Sequence, residues 1–299
     1  MPSLDENINT DTNRQHYNSI ADAWPYLLGQ NFHWGLFQNP GDDLDAATDR
    51  LIDLMIDRIP LNEKTHLLDV GCGIGGPARY IAKRTKSLVT GFSTSPEGID
   101  RAARFVSGEE NPALLNFEVR DALDNGFPDE TFSAAILLEM SHLIRDKHRL
   151  IQETGRAVQI GGSVALCDLT LRRRLSAREI VDRQNEIRLL ETCFGKARLE
   201  PLDTYQPFFE ANGFTEIKTR DLSSEVFPTI RHWKANAESN ANELLKYLSE
   251  EHLQNFIESC DTLTDFFLTD VWGYGLISGV KTSKVSVKAS AEYDGQRLF

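Results

Sequence analysis

Leu67-Leu68-Asp69-Val70-Gly71-Cys72-Gly73-Ile74-Gly75-Gly76 is the stretch whose pattern decides the fold. Its first four residues, apolar but for one aspartate, read as a buried strand; glycines at 71, 73 and 75 then mark a sharp turn. Ala78, Ile81 and Ala82 give the segment that follows an apolar helical face. Glycine tolerates positive φ and lets a ligand press against the backbone, and the first N–H groups of a helix have no partner within it. Strand, turn and helix together therefore make a polar cradle at the end of a buried strand. A lone glycine pattern often serves only a tight turn, but the strand before and the helix after make this one more specific.

Outward from this turn the alternation continues. An apolar run at 88–92 precedes a helix that Ser95 can cap, with Pro96 in its first turn and Ile99, Ala102, Ala103 and Val106 on one face. Further strands are expected at 114–119, 132–138 and 163–168, the middle one unbroken enough to be central. Strand alternating with helix means a parallel sheet. Upstream, residues 12–59 carry helical signals, interrupted by an ordered aromatic loop at 31–43. Downstream, a charged helix over 176–194, a segment at 202–212, a strand at 214–221, helical sequence over 229–267 and a last strand at 271–280 are expected. The polar tail 283–299 reads as disordered.

Composition narrows the function. The chain has 299 residues, 40% of them hydrophobic, enough for a full core. Its formal net charge of -13 opposes a phosphate backbone, so no nucleic-acid partner is expected. The N-terminus is acidic and polar, unlike a secretory signal. No apolar run nears the roughly 20 residues a membrane span needs. Cys72, Cys167, Cys193 and Cys260 lie far apart with no CxxC, which argues against a zinc cage or disulfide framework and for a cytoplasmic location; no metal is expected.

The D-V-G-C-G-x-G run resembles the first motif of class I S-adenosylmethionine-dependent methyltransferases. That resemblance implies a Rossmann-like α/β fold: a seven-stranded, mostly parallel sheet with flanking helices, an N-terminal helical lid and a cap inserted after the fifth strand. It divides the chain into a helical arm and lid (1–62), a cofactor-binding core (63–170), an inserted acceptor region (171–213), strands and helices completing the sheet (214–282) and the tail. By the same resemblance S-adenosylmethionine is the cofactor, Gly71, Cys72, Gly73 and Gly75 line it, and Asp69 positions its amino group. Arg120-Asp121-Ala122 after the third strand looks like the family's adenine site, and Phe127-Pro128-Asp129-Glu130-Thr131-Phe132 leads into the fourth strand as the family's does. Taken alone, Asp121 is an ordinary loop carboxylate; the order of the motifs favours the site.

Two departures stand out. The acid that usually ends the second strand and holds the ribose is missing, so Ser93 and Thr94 are left to serve. This Gly91-Phe92-Ser93-Thr94-Ser95-Pro96 variant is similar to a branch containing tocopherol methyltransferases, antibiotic-sugar O-methyltransferases and isoprenyl-diphosphate C-methyltransferases. Gln159-Ile160-Gly161-Gly162 replaces a common R-P-G-G, which alters a turn. A nicotinamide dehydrogenase would want an acid about 20 residues past the glycines, and none is suitably placed.

Glu139-Met140-Ser141-His142 follows the fourth strand at the sheet edge where such folds bind ligands, and Glu139 is a cofactor candidate. His142 is the leading candidate base; the plain alternative is a histidine merely hydrogen-bonded beside the cofactor. Asp168, ending the fifth strand, is placed to orient His142 or polarise the substrate. In the antibiotic-sugar branch a histidine and an aspartate at these two places form the acid–base pair. Resemblance also makes Tyr17 and Trp34 cofactor contacts, and His33 and Phe37 lid residues; the bland reading is that the aromatics anchor the arm.

Arg172, Arg173, Arg174, Arg178, Arg183 and Arg188 form the one basic concentration. They read either as a diphosphate clamp or, with Glu179, Asp182 and Glu186 interleaved, as a solvated face, and the latter is favoured. Phe208, Phe209, Phe227, Trp233, Phe256, Phe266 and Phe267 are expected mostly in the core, a minority making an apolar acceptor cavity. The expectation is an enzyme that methylates O, N or C of a small, largely apolar or aromatic molecule in secondary metabolism, oligomeric state open and a homodimer among the options. The alternatives are an isoprenoid C-methyltransferase that also cyclises its substrate, a cyclase on the same fold without methyl transfer, or a regulator without turnover.

Overall fold

A computed structural model describes residues 22–284. Seven strands form one sheet in the order β3-β2-β1-β4-β5-β7-β6: β1 His66–Val70, β2 Leu88–Ser93, β3 Leu115–Val119, β4 Phe132–Leu138, β5 Val158–Leu171, β6 Phe214–Asp221 and β7 Trp272–Lys281. The pairs β1–β2, β2–β3, β1–β4 and β4–β5 are parallel. β4 lies in the middle, and six of its seven residues are buried, which is why its sequence shows no polar alternation.

The chain leaves β1 toward one edge, through β2 and β3, then returns to the other side of β1 as β4. The order reverses between β1 and β4, and such a switch point opens a crevice at the carboxyl ends of the strands. Asp69 lies opposite Gly91 and Ile136, so the glycine turn emerges between β2 and β4. Along β5, Leu138 lies opposite Cys167, which brings Glu139 and Asp168 to the same edge.

Two compact units are distinguished. Among the described residues, one comprises 54–168, 202–220 and 276–284; the other comprises 22–53, 169–201 and 221–275. In the first, helices α3 (Gly76–Thr85), α4 (Pro96–Val106), α5 (Lys147–Ala157) and α8 (Tyr205–Ala211) accompany the strands. The second is mainly helical, with α1 (Trp24–Leu28), α2 (Leu44–Ile56), α6 (Ala177–Asp182), α7 (Gln184–Phe194), α9 (Ser223–Val226), α10 (Thr229–Ser239), α11 (Ala241–Leu244) and α12 (Glu250–Leu268).

Several boundaries differ from expectation, for local reasons. The segment at 202–212, read as acceptor region, belongs to the sheet unit: Tyr205, Phe208 and Phe209 on α8 are buried in its core with Leu150 and Ile151 of α5. The helix expected over 176–194 breaks at Arg183, whose ψ is 12°. There the guanidinium pairs with Asp265 of α12 and lies over the Phe266 ring at 4.1 Å. β5 begins at Val158, five residues before its expected start, because Gln159-Ile160-Gly161-Gly162 forms an irregularity inside the strand that shifts its register against β4. Tyr17 and the tail beyond 284 lie outside the described residues.

Candidate active site

The cradle is built at Gly71–Gly75. The Gly71 and Cys72 amides both donate to the Phe92 carbonyl at 2.9 Å, tying the turn to β2. Gly75, the residue before α3, has φ +76°, and a Cβ there would stand 2.5 Å from the Phe117 ring. Gly73 has φ +54°, yet a Cβ on it would meet nothing within 4 Å. Packing explains the glycine at 75; at 73 the backbone borders open space that a ligand can take.

Asp69 lies just before the turn, 2% exposed, and its Oδ2 is buried with no hydrogen-bond partner. Burial raises its carboxyl to about 7. The beginning of α3 is close in sequence, so an incoming cation would satisfy an acceptor that the fold leaves bare. Burial also pushes the Cys72 thiol well above its usual range, with Asp69 adding to the effect.

Around the crevice, Ser93 and Thr94 are half-buried at the end of β2. Ser95 caps α4, its Oγ accepting from the Gly98 amide at 3.0 Å. Asp121 is exposed in an Asx turn, Oδ1 accepting from the Leu123 amide at 2.9 Å, and Ala122 beside it is buried. Arg120 fixes this loop: its side chain donates to the Asn125 carbonyl at 2.6 Å and to Glu118 at 2.7 Å, and lies 4.0 Å over the Phe127 ring. Glu139, half-buried with φ +50°, donates its amide to the Cys167 carbonyl.

His142 sits in a short 3-10 turn, Ser141–Leu143, directly after β4. Its Nδ1 is 2.7 Å from Asp168 Oδ1, and its amide donates to Asp168 Oδ2 at 2.9 Å. Asp168 is 1% exposed; burial alone would raise its carboxyl, but the His142 ring and hydrogen bonds from His142 and Ser141 outweigh that and hold it below the ordinary carboxylate value. An ionised Asp168 accepts only, so Nδ1 carries a proton, and in the neutral ring the lone pair is on Nε2. Among the described residues nothing hydrogen-bonds Nε2. A histidine so held can accept a proton at Nε2 while the carboxylate balances the charge the ring gains.

These parts match a known family. Residues 68–166 fit the family described as a methyltransferase domain. A 27-O-demethylrifamycin SV methyltransferase from Amycolatopsis mediterranei (strain S699) is 30% identical over 239 residues, spanning 80% of this chain and 84% of that protein. The chain belongs to the class I S-adenosylmethionine-dependent methyltransferases. Methyltransferase GfsG of Streptomyces halstedii is 25% identical to the enzyme over 218 residues, spanning 72% of this chain and 76% of that one. The cyclopropane synthase MmaA2 from Mycobacterium tuberculosis shares the fold, with a TM-score of 0.81 at 16% identity over 91% of this chain and 98% of that one. The methyltransferase's cofactor is S-adenosylmethionine.

Other expected residues of the methyltransferase have clear surroundings within the helical unit. Trp34 is 3% exposed, stacked on Phe267 and edge-on to Trp233, each with ring centroids 5.0 Å away. Those contacts are an anchor's. His33 donates from Nδ1 to the Trp34 carbonyl at 2.8 Å, and burial lowers its pKa to about 4. Phe37 stacks on His232. Four of the arginines are ion-paired: Arg172 with Asp221 and Asp270, Arg173 with Glu179, Arg178 with Asp182, Arg183 with Glu186 and Asp265. Most of the cluster is thus the neutralised face that its interleaved acids suggested.

Sequence reasoning missed three residues around His142. Ser141 Oγ donates to Asp168 Oδ2 at 2.6 Å and lies 2.8 Å from the Tyr205 hydroxyl. Lys147, 4% exposed, donates from Nζ to the Ser141 carbonyl at 2.6 Å and to that of Ile144, clamping the turn from below. A polar residue between a candidate base and a strand end was the available signal for Ser141; nothing local marked Tyr205.

Proposed function

We propose that this methyltransferase transfers a methyl group to a hydroxyl of a small molecule in secondary metabolism, with His142 as the base. The carrying observation is the 2.7 Å contact of His142 Nδ1 with the buried Asp168, which leaves Nε2 as the free acceptor. A hydroxyl has a proton to lose during methylation, and a positioned base adds about 10²–10⁴-fold to such a step. The rifamycin relative, whose named substrate lacks a methyl on an oxygen, supports the choice of oxygen.

Gly71, Cys72, Gly73 and Gly75 would offer backbone to the cofactor, Asp69 would face its ammonium, Ser93 and Thr94 its ribose, Asp121 and Ala122 its adenine, and Glu139 the crevice wall. The bare Asp69 Oδ2 and the open space at Gly73 fit such a group. When bound, S-adenosylmethionine supplies a methyl on a cationic sulfur, open to in-line attack. His142 Nε2 takes the hydroxyl proton as the acceptor oxygen becomes the nucleophile, and Asp168 keeps the ring in the right tautomer. The four cysteines are free and buried, which supports a reducing, cytoplasmic location. Among the described residues no helix is long and apolar enough to cross a membrane.

The test is a panel of hydroxylated acceptors, each beside its deoxy analogue, incubated with S-adenosylmethionine and read by mass spectrometry. The hydroxylated members gain one methyl and the analogues none. His142→Ala keeps cofactor affinity and loses about 10²–10⁴-fold in kcat. Methylation of the deoxy compounds, or wild-type turnover in the alanine variant, would overturn the reading.

A further inference from the structure

Ser141 has one hydroxyl proton, and the 2.6 Å contact with Asp168 Oδ2 commits it, because that carboxylate is held ionised and can only accept. The 2.8 Å contact between Ser141 Oγ and Tyr205 must then run the other way, with the tyrosine O–H donating. A directed chain results: Tyr205 donates to Ser141, Ser141 to Asp168 Oδ2, and His142 Nδ1 to Asp168 Oδ1. Tyr205, Ser141 and Asp168 are each 1% exposed, so water does not compete for these bonds. Hydrogen bonds in so dry a chain polarise one another and fix one rotamer at every member.

We infer that Tyr205 is a positioning residue for methyl transfer: through Ser141 it sets the plane of the Asp168 carboxylate, and so the direction in which His142 presents Nε2. This rests on His142 acting as the base. Asp168 Oδ2 already accepts from the His142 amide and from Ser141, leaving Oδ1 for the ring. Without the tyrosine donor the serine hydroxyl keeps one of the two contacts that fix its rotamer, which loosens its hold on the Asp168 carboxylate. Tyr205 opens α8, whose Phe208 and Phe209 are buried in the sheet core, so its position is set by packing independent of the loop it steadies. Lys147 acts on the same turn from the backbone side.

The experiment is a double-mutant cycle on the full-length enzyme with Tyr205→Phe, Ser141→Ala and the pair, beside His142→Ala, reading kcat, cofactor affinity and the low-field proton NMR resonance of His142 Nδ1–H. Tyr205→Phe keeps the ring that packs the core. It is expected to lower kcat about tenfold with cofactor affinity unchanged, and to move or broaden the Nδ1–H resonance. Because Tyr205 acts through Ser141, the double variant is expected to match Ser141→Ala rather than the product of the two losses. Should Tyr205→Phe fold poorly, Ser141→Ala, which leaves α8 intact, must still displace the resonance. A wild-type kcat and resonance in Tyr205→Phe, or multiplicative losses, overturn this inference while a slow His142→Ala leaves the base standing. Wild-type turnover in His142→Ala overturns both.

Discussion

Asp69, buried just before the glycine turn, ties the stability of the fold to pH. Burial lifts its pKa from 3.8 to about 7, so across that interval the folded chain holds a proton that the unfolded chain has released. The folded state binds more protons there, and stability therefore falls as pH rises from about 4 to about 7, then levels off. Asp69→Asn should remove that slope: in urea unfolding at about pH 4.5, 6 and 7.5, the wild type loses stability stepwise and the variant does not. Parallel curves for the two would mean that Asp69 is solvated. A cation seated against Asp69 would bind the ionised form, so its affinity is expected to rise with pH up to about 7 and to level off above it. Asp168 behaves oppositely: depressed by its partners, it adds stability above its unfolded pKa and loses it as pH falls through the lower folded value.

Elements carry a different kind of constraint. At Gly75 a side chain would need both a left-handed backbone and room, and Phe117 of β3 leaves none. Gly75→Ala is expected to destabilise by about 2–4 kcal/mol, summing left-handed strain and overpacking, and Phe117→Leu in the same chain should recover part of it. A loss of under about 0.5 kcal/mol in the denaturant midpoint would show that the turn rearranges freely. The pattern of residues made these elements legible: apolar runs gave β1, β2 and β4, and Ser95 with Pro96 gave the start of α4. What stayed hidden were effects from partners far along the chain. Arg183 breaks a helix while its guanidinium docks on α12, and β5 begins five residues before its expected start because an irregularity inside a strand looks like a turn in sequence.

For the molecule as a whole, the site divides along the same line. That Asp69, the three glycines, His142 and Asp168 lie at neighbouring strand ends was legible in motif order, because the topology of a parallel sheet fixes which strand ends meet. Tyr205 was not, being 64 residues from Ser141 with nothing local to announce the pairing. The burial of Tyr205, Phe208 and Phe209 in the sheet core was hidden for the same reason, since apolar aromatics look alike whether they line a cap or fill a core. Charge was more telling: interleaved acids on the helices after β5 foretold the ion pairs that occupy Arg173, Arg178 and Arg183.

Isothermal titration of the enzyme with S-adenosylmethionine, wild type beside Gly73→Arg, puts the cradle itself on trial. A long side chain at 73 meets no protein atom near the backbone and costs about 1–2 kcal/mol of left-handed strain, so the fold should survive while the ligand is shut out. One-to-one binding by the wild type and no detectable heat from a folded Gly73→Arg are the predicted results. Silence from the wild type at millimolar ligand, or equal affinity in the variant, would contradict a cofactor seated on this turn.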